Sequence, residues 1–300
     1  MNQHIAIIGL GAMGAAMAQR MIQAGLQVTG FDLRPEAMTR LEALGGRSAE
    51  GPAEAARGAS VAVVMVHDTP QVQKVLFGQG GVAAALEPGA VVWLASTVTP
   101  DDARLFESQL AASGLLFLDG PVSGGMTGAQ EGDLTVIAGA SSAALDAAGD
   151  ALRACASHVF HVGEVGAGST VKMINQLLVA SHLALAAEAV AFGVKAGVDA
   201  AQLVEVVMRS AGTSRMFEKR APRMVSGDAT PHSTVKTFLK DLNIALDVAQ
   251  KLKFPTPVAA AAHQVFIMAA GCGYADETDT RVLRVYERMG SVTVAAESDA

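Results

Sequence analysis

The sequence predicts an α/β protein in which a parallel-sheet domain precedes an all-α domain. In the first half of the chain, short apolar runs alternate with helical patterns, whereas only long helical patterns follow Gly168. Runs made almost entirely of Val, Ile and Leu are typical of strands covered on both faces, as in parallel sheets. Glycines cluster at Gly163, Gly166 and Gly168, so we place the boundary there and predict domains 1–164 and 165–300.

The individual elements follow from local patterns. The apolar runs predict strands at 5–8, 27–31, 61–66, 91–95, 115–118, 134–138 and 157–162. After the first run we expect a helix over 13–24, because Gly25 can cap its end, and Pro35 is expected to open the next helix. In the second half, the apolar spacing predicts helices at 170–196, 200–210, 217–225, 238–252, 256–271 and 280–289.

The composition argues against several classes of protein. Of the 300 residues, 51% are hydrophobic and 17% are charged, with a net charge of −7, which does not fit a disordered chain. The chain has no basic excess and only 4% aromatic residues, so no nucleic-acid partner is expected. Asn175, Gln176 and His182 interrupt the longest uncharged stretch, which falls short of the ~18 apolar residues typical of a membrane span. No membrane partner is therefore expected.

The cysteines and histidines bear on compartment and metals. Cys155 and Cys272 are too few for a disulfide framework, and the N-terminal residues lack the basic leader of a secretory signal, so we expect a cytoplasmic protein. The sequence contains neither H-E-x-x-H nor C-x-x-C, and His158 and His161 would point to opposite faces of a strand. We therefore predict no metal site.

A glycine-rich turn lies between the first strand and the first helix. Its sequence is Gly9-Leu10-Gly11-Ala12-Met13-Gly14, which has the G-x-G-x-x-G pattern in the setting that dinucleotide binding requires. In that pattern Gly9 permits the tight turn, Gly11 lets the backbone approach a pyrophosphate at the helix N-terminus, and Gly14 allows close helix–strand packing. The turn predicts a Rossmann-type domain, although a glycine triplet alone also fits a turn without a ligand.

An acidic residue follows the second predicted strand. Asp32 stands where a carboxylate accepts a hydrogen bond from the ribose 2′-hydroxyl of NAD, and the same charge would repel the 2′-phosphate of NADP. The sequence therefore favours NAD. Arg34 leaves NADP open as the alternative, because a nearby arginine can bind a 2′-phosphate. Asp32 by itself is also typical of a turn or a helix cap.

Two segments carry candidate substrate chemistry. Ser123-Gly124-Gly125 follows the fifth strand and would expose backbone N–H groups to a carboxylate, although an ordinary loop has the same composition. Lys172 and Asn175 share one face of the predicted helix at 170–196. The helix dipole and the apolar neighbours both favour the neutral form of Lys172, which suits a general base. A lysine that extends from an amphipathic helix to water is the alternative.

Four motifs in order give the chain a family resemblance. It resembles the β-hydroxyacid dehydrogenases, the family related to 3-hydroxyisobutyrate dehydrogenase, over nearly its whole length. The motifs are the run from Ile8 to Ala18, the run from Asp119 to Gly125, Gly166-Ala167-Gly168 with Lys172-Met173-Ile174-Asn175-Gln176, and Lys240-Asp241-Leu242. The third motif often ends Asn-Asn in the family, whereas here it ends Asn175-Gln176.

The resemblance implies NAD-dependent oxidation of a small hydroxy acid by hydride transfer, with Lys172 as the general acid/base. Together with the backbone argument above, it gives a substrate-binding set of Ser123, Gly124, Gly125, Asn175 and Lys240. The predicted cofactor-binding residues are Gly9, Leu10, Gly11, Ala12, Met13, Gly14, Asp32, Arg34, Val66, Thr97 and Lys240.

Less specific segments point to one branch of the family. They are Val75-Leu76-Phe77-Gly78, the run from Met216 to Arg220, and Pro231-His232-Ser233 leading into the Lys240 motif. The implied substrate is L-threonate, oxidised at C2 to 2-oxo-tetronate. Tartronate semialdehyde reduction, 3-hydroxyisobutyrate oxidation and a non-catalytic dinucleotide-binding protein remain alternatives. Because the long helix is so apolar, we also expect a homodimer or homotetramer.

Overall fold

The computed structural model describes residues 3–230 and 233–294. The chain divides into two compact units, 1–172 and 173–300. The first is built on a β-sheet and the second is helical, which confirms the predicted fold class. The predicted domain boundary between residues 164 and 165 stays a prediction. Pro231 and His232, which belong to a segment quoted for the resemblance, lie outside the described residues.

The sheet of the first unit has nine strands within the described residues. They are β1 (His4–Ile8), β2 (Gln27–Phe31), β3 (Arg47–Ser48), β4 (Val61–Val64), β5 (Val91–Leu94), β6 (Leu116–Asp119), β7 (Val122–Ser123), β8 (Leu134–Ala140) and β9 (Ala156–Gly163). Their order across the sheet is β3-β2-β1-β4-β5-β6-β8-β7, and β9 pairs with β8. The chain order reverses at β1, so the carboxyl ends of β1 and β4 meet beside the turn that holds the three glycines.

The parallel pairing extends from β3 to β6, whereas β8 runs antiparallel to β6 and β7. The reason lies in the connection. After β7 a seven-residue helix turns the chain back, and the chain returns beside β7 as β8 in the opposite direction. A parallel neighbour would instead need a connection that crosses over the face of the sheet. β9 is parallel to β8. The apolar run at 134–138 alone gave no sign of this reversal.

Helices cover both faces of the sheet. In the first unit they are α1 (Ala12–Gln23), α2 (Pro35–Ala43), α3 (Pro52–Ala56), α4 (Thr69–Phe77), α5 (Pro100–Ala111), α6 (Gly125–Glu131), α7 (Ser142–Ala147) and α8 (Gly149–Cys155). Side chains of β1 alternate between two buried clusters, with Ile5 and Ile7 in one and Ala6 and Ile8 in the other. This arrangement explains why strand residues on both faces are apolar.

The second unit is formed by helices around one apolar core. α9 (Ala167–Lys195) begins in the first unit, and it is followed by α10 (Ala200–Met208), α11 (Arg215–Ser226), α12 (Val235–Lys251), α13 (Pro257–Ala269) and α14 (Leu283–Gly290). Phe238 and Phe266 stack in the core with ring centroids 5.4 Å apart. The last helix begins later than predicted, because Asp279–Val282 form a 3₁₀ turn before it.

The 29-residue helix α9 is long and apolar enough, by length and composition, to cross a membrane. The expectation that its polar residues leave it too short is therefore not met by this criterion. The core helix of a folded domain has the same properties, and Leu183, Ala187 and Val190 of α9 are buried in the second unit. The apolar character of α9 is therefore only weak evidence for a membrane span.

Candidate active site

The turn between β1 and α1 has the geometry of a phosphate-binding loop. Gly9 adopts a φ of +97°, and a Cβ there would lie 2.3 Å from the Met65 carbonyl oxygen. A Cβ on Gly14 would lie 1.9 Å from the Gly9 oxygen, so only glycine allows the helix to approach the strand. A Cβ on Gly11 would lie 3.9 Å from Arg34 Nη2, an ordinary contact, and within the described part of the chain no side chain caps the start of α1. The first N–H groups of α1 are thus available to an anion.

Asp32 follows β2 directly, and its carboxylate is fixed by three groups, one of which is the Arg34 backbone N–H at 3.0 Å. Its carboxylate accepts a hydrogen bond of 2.7 Å from the Leu10 N–H and forms a two-point pair with the Arg34 guanidinium at 3.0 and 3.1 Å. Burial opposes ionisation of Asp32, but the hydrogen bonds from Arg34 and Leu10 outweigh it and hold the pKa of this carboxyl below its usual value. Arg34 also donates to the Leu10 carbonyl at 3.3 Å, so its guanidinium lies beside the glycine turn.

The ends of β4 and β5 are joined by Ser96, which the sequence reasoning missed. The buried Ser96 hydroxyl accepts a hydrogen bond from the Val66 N–H at 2.9 Å and lies 2.8 Å from the Val66 carbonyl oxygen. Val66 and Thr97 are predicted cofactor positions, and Ser96 fixes the backbone of the first while preceding the second. The sequence indicated this role only through the position of Ser96, directly after the apolar run at 91–95.

The segment that follows β6 has an unusual backbone. Gly124 and Gly125 have φ values of +136° and +69°, which L side chains rarely adopt. A Cβ on Gly125 would meet no atom of the described residues within 4 Å, so the backbone is open there. The glycines at these two positions are therefore required by conformation, which fits both a carboxylate-binding backbone and an ordinary loop.

Lys172 lies against the same segment. Its side chain is 7% exposed, and its Nζ donates a hydrogen bond of 2.8 Å to the carbonyl oxygen of Val122. The amino group therefore does not extend into water, as the alternative interpretation of this lysine required. The contact places Lys172 beside the predicted Ser123-Gly124-Gly125 substrate segment within the first unit.

A buried carboxylate, Asp119, holds the start of α9 and was also missed as a functional residue. Its Oδ2 accepts hydrogen bonds from the N–H groups of Gly166 and Ser169, each at 2.9 Å, and its Oδ1 accepts one from the Ser169 hydroxyl at 2.5 Å. Burial raises the pKa of Asp119, partly offset by these hydrogen bonds. The sequence placed Asp119 in a motif, but its partners lie 47 and 50 positions further along the chain.

In the second unit a chain of polar side chains connects two predicted site residues. Asn175 Nδ2 donates to Gln176 Oε1 at 3.0 Å, and Gln176 Nε2 donates to the buried Asp241 Oδ2 at 2.5 Å. The other Asp241 oxygen accepts a hydrogen bond of 2.8 Å from Lys240 Nζ. The departure at Gln176 from the Asn-Asn ending therefore has a structural role. Asp241 stands in the fourth motif, but no role was predicted for it from the sequence.

Comparison with known proteins places the chain among dehydrogenases. Residues 4–163 match the family described as the NAD binding domain of 6-phosphogluconate dehydrogenase. Residues 166–286 match the family described as NAD-binding of NADP-dependent 3-hydroxyisobutyrate dehydrogenase. An L-threonate dehydrogenase of Cupriavidus necator is 45% identical over 95% of this chain and 97% of its own.

The chain belongs to the β-hydroxyacid dehydrogenase family. An L-threonate dehydrogenase of Escherichia coli K12 is 40% identical, with 94% of each chain covered. A crystal structure described as 3-hydroxyisobutyrate dehydrogenase from Salmonella typhimurium is 41% identical with a TM-score of 0.89, and the match covers 95% of this chain and 100% of that one.

This β-hydroxyacid dehydrogenase is an NAD-dependent oxidoreductase that acts on a hydroxy acid. A non-catalytic dinucleotide-binding protein is thereby excluded. The glycine turn and the fixed Asp32 carboxylate fit NAD, because they offer N–H donors for a pyrophosphate and an acceptor for a ribose hydroxyl. The roles predicted for the individual site residues stay predictions, which the proposals below develop.

Proposed function

We propose that this dehydrogenase oxidises L-threonate at C2 to 2-oxo-tetronate, with Lys172 as the general base. The proposal is supported by relatives named L-threonate dehydrogenase, which are 39–45% identical to this chain. The observation that carries the mechanism is the buried Lys172 amino group, which lies 2.8 Å from the Val122 carbonyl next to the open glycine backbone.

In this mechanism the backbone of the Ser123-Gly124-Gly125 segment binds the substrate carboxylate, with the open Gly125 backbone as the point of approach. Asn175 lies one turn along α9 from Lys172 and donates to the same substrate through its amide. Lys172 takes the proton of the C2 hydroxyl, and the Val122 carbonyl keeps its amino group oriented. Bound NAD supplies the hydride acceptor. Lys240 is proposed to contact the nicotinamide end of the cofactor and the substrate, with Asp241 holding its side chain.

The substrate is tested by incubating the protein with NAD and a panel of acids while NADH absorbance is followed. We expect the highest kcat/KM for L-threonate among L-threonate, D-glycerate and 3-hydroxyisobutyrate. The panel includes 3-hydroxyisobutyrate because a similar solved structure is described as 3-hydroxyisobutyrate dehydrogenase. Tartronate semialdehyde is tested in the reverse direction with NADH, because a 31% identical relative is named 2-hydroxy-3-oxopropionate reductase. Activity on one of these other compounds without activity on L-threonate would contradict the proposed substrate and assign the protein to another branch of the family.

A carboxylate anchor makes a second demand on the substrate. If the site is built to pair an acid, the uncharged amide of L-threonate places an NH₂ group against one of the backbone N–H donors and should lose up to about 10⁴–10⁵-fold in kcat/KM. Comparable kcat/KM values for the acid and the amide would contradict the assignment of the Ser123-Gly124-Gly125 backbone.

We further propose that two copies associate through the apolar seam of α9, which we define as Ile174, Leu178, Leu185 and Phe192. All four are 48% or more exposed in the single chain, and their spacing of four and seven residues places them on one stripe of the helix. A two-fold axis pairs such a stripe with itself, so a second copy of the chain is the occupant that fits. A homotetramer would require a further interface.

The small hydroxy acid is the only partner besides NAD and a second copy that we propose. A cytoplasmic location is proposed as well, because NAD is available there and both cysteines are free thiols. Burial raises the pKa of Cys155 to about 12, so this thiol has little reactive thiolate at neutral pH.

A further inference from the structure

We propose that Asp119 is a positioning residue that sets the location of the Lys172 amino group by fixing the first turn of α9 with three hydrogen bonds. The inference rests on the proposed role of Lys172 as the base. Asp119 itself touches neither substrate nor cofactor in this assignment, since its carboxylate is fully buried and both oxygens are engaged within the protein.

The geometry links the segment after β6 to α9 at two points. At one end, the Asp119 carboxylate binds Gly166 and Ser169 at the start of the helix. At the other end, the Val122 carbonyl accepts the hydrogen bond from Lys172 Nζ. Asp119 and Val122 are three residues apart on the segment, and Ser169 and Lys172 are three apart on one face of the helix. A shift of the helix start relative to Asp119 therefore also displaces Lys172 Nζ relative to the Val122 carbonyl.

The backbone leaves little room for adjustment on the other side of this turn. A Cβ on Gly168 would lie 2.2 Å from the Asp119 carbonyl oxygen and 2.6 Å from that of Ile137, so the helix start packs directly on β6 and β8. A turn packed this closely holds its position only while its N–H groups are bonded, because buried and unbonded N–H groups are costly. The carboxylate supplies those bonds.

The position of a base matters more for turnover than for cofactor binding. A displacement of about 1 Å can cost on the order of 10²-fold in rate, whereas the phosphate-binding turn is made of other residues. Loss of the Asp119 contacts should therefore lower kcat and leave NADH binding unchanged. A purely structural residue would instead lower the amount of folded protein, with unchanged turnover for each molecule that still binds NADH.

Four variants separate these roles. D119A removes all three hydrogen bonds, and S169A removes only the hydroxyl. D119N keeps them, because an amide oxygen can accept both N–H groups while the amide NH₂ donates to Ser169 Oγ. Burial raises the pKa of Asp119, so the ionised form costs stability and D119N should unfold at no lower temperature than the wild type. T170V is the matched control, since the Thr170 hydroxyl lies in the same turn and donates to the Gly166 carbonyl instead of to Asp119.

The variants are compared by kcat per NADH-binding site, with binding measured by calorimetry. We expect a loss of about 10–100-fold for D119A, a few-fold loss for S169A, and kcat within about three-fold of wild type for D119N and T170V. The NADH Kd should stay within about two-fold throughout. Unchanged kcat per site in D119A, or a loss in D119N as large as in D119A, would overturn the proposal.

A second readout does not depend on the substrate. Labelling by an amine-reactive ester, followed by peptide mass spectrometry, reports how accessible Lys172 is relative to the exposed Lys195 of the same helix. We expect slow labelling of Lys172 in wild type and D119N, and labelling several-fold faster in D119A. Equal labelling in all forms would contradict the positioning role even if the enzyme is active. Wild-type protein that turns over none of the acids would instead contradict the proposed function while this measurement still stands.

Discussion

At the scale of single residues, Lys172 is the side chain on which the proposed chemistry depends most. Replacing Lys172 with Ala removes the group that takes the hydroxyl proton, so kcat should fall by about 10²-fold or more, the usual contribution of a general base. The NADH Kd, measured by calorimetry, should change little. Lys195→Ala at the exposed end of the same helix is the control, and an equal effect of both substitutions would show that Lys172 has no special role.

Asp32 decides a second prediction at this scale. In Asp32→Asn the amide still accepts a hydrogen bond, but the charge that opposes a 2′-phosphate is lost and Arg34 is released from its ion pair. The ratio of kcat/KM for NAD over NADP should therefore fall by about tenfold or more, which corresponds to at least ~1.4 kcal/mol of discrimination. A higher kcat/KM of the wild-type enzyme with NADP than with NAD would show that Arg34, and not Asp32, determines the choice of cofactor.

The same carboxyl predicts a pH dependence of stability. Hydrogen bonds hold the pKa of Asp32 below its unfolded value of 3.8, so the ionised form stabilises the fold above that pH. This contribution disappears as the pH falls through the folded-state pKa. Urea unfolding should therefore show wild type more stable than Asp32→Asn at pH 7, with the difference shrinking below about pH 3.8. A difference that grows on acidification would contradict the sign.

At the scale of elements, the end of α12 offers room for improvement. Lys253 has a φ of +55°, and its N–H donates a hydrogen bond to the Gln250 carbonyl. This backbone turn at Lys253 lets the next N–H, that of Phe254, donate to the Ala249 carbonyl. Glycine is the usual residue at this position because a Cβ is strained there. Lys253→Gly should stabilise the fold by about 1 kcal/mol in urea unfolding.

The counterpart lies at the end of α11, where Gly227 has a φ of +70°. Gly227→Ala should destabilise the fold by about 1 kcal/mol, since it introduces the strain that Lys253 already carries. Loss of stability in Lys253→Gly would mean that contacts of the lysine side chain outweigh its backbone strain.

The structural elements differ in how far they could be predicted from the sequence. The glycine turn was predictable because its signature, three glycines at fixed spacing after an apolar run, lies within six residues of the sequence, although the atom that excludes a side chain at Gly9 is the distant Met65 carbonyl oxygen. Asp119, Ser96 and Asp241 were not, because each acts through partners that folding brings from distant strands or helices. The reversed direction of β8 was missed for the same reason, since an apolar run carries no information on its direction.

At the scale of the whole molecule, the apolar seam of α9 predicts the state of association. Leu185→Glu places a charge in the middle of the seam and should shift the protein from dimer to monomer in analytical ultracentrifugation at micromolar concentration, because a desolvated, unpaired charge is costly. Leu105→Glu is the control, since Leu105 is 51% exposed on α5 in the other unit. A wild-type protein that sediments as a monomer would remove the basis for this interface.

The segment after β6 also has a neighbour with optical properties. Trp93 is the sole tryptophan of the sequence, is fully buried, and donates its indole N–H to the Gly120 carbonyl at 2.7 Å. Its fluorescence therefore comes from one apolar environment, immediately beside Asp119 and near the glycines proposed to bind substrate. Its emission overlaps the absorption of NADH, so cofactor arrival is expected to quench it, and movement of the segment is expected to shift its wavelength. The protein thus has an intrinsic probe by which stopped-flow measurements can time the ordering of this segment separately from the chemical step.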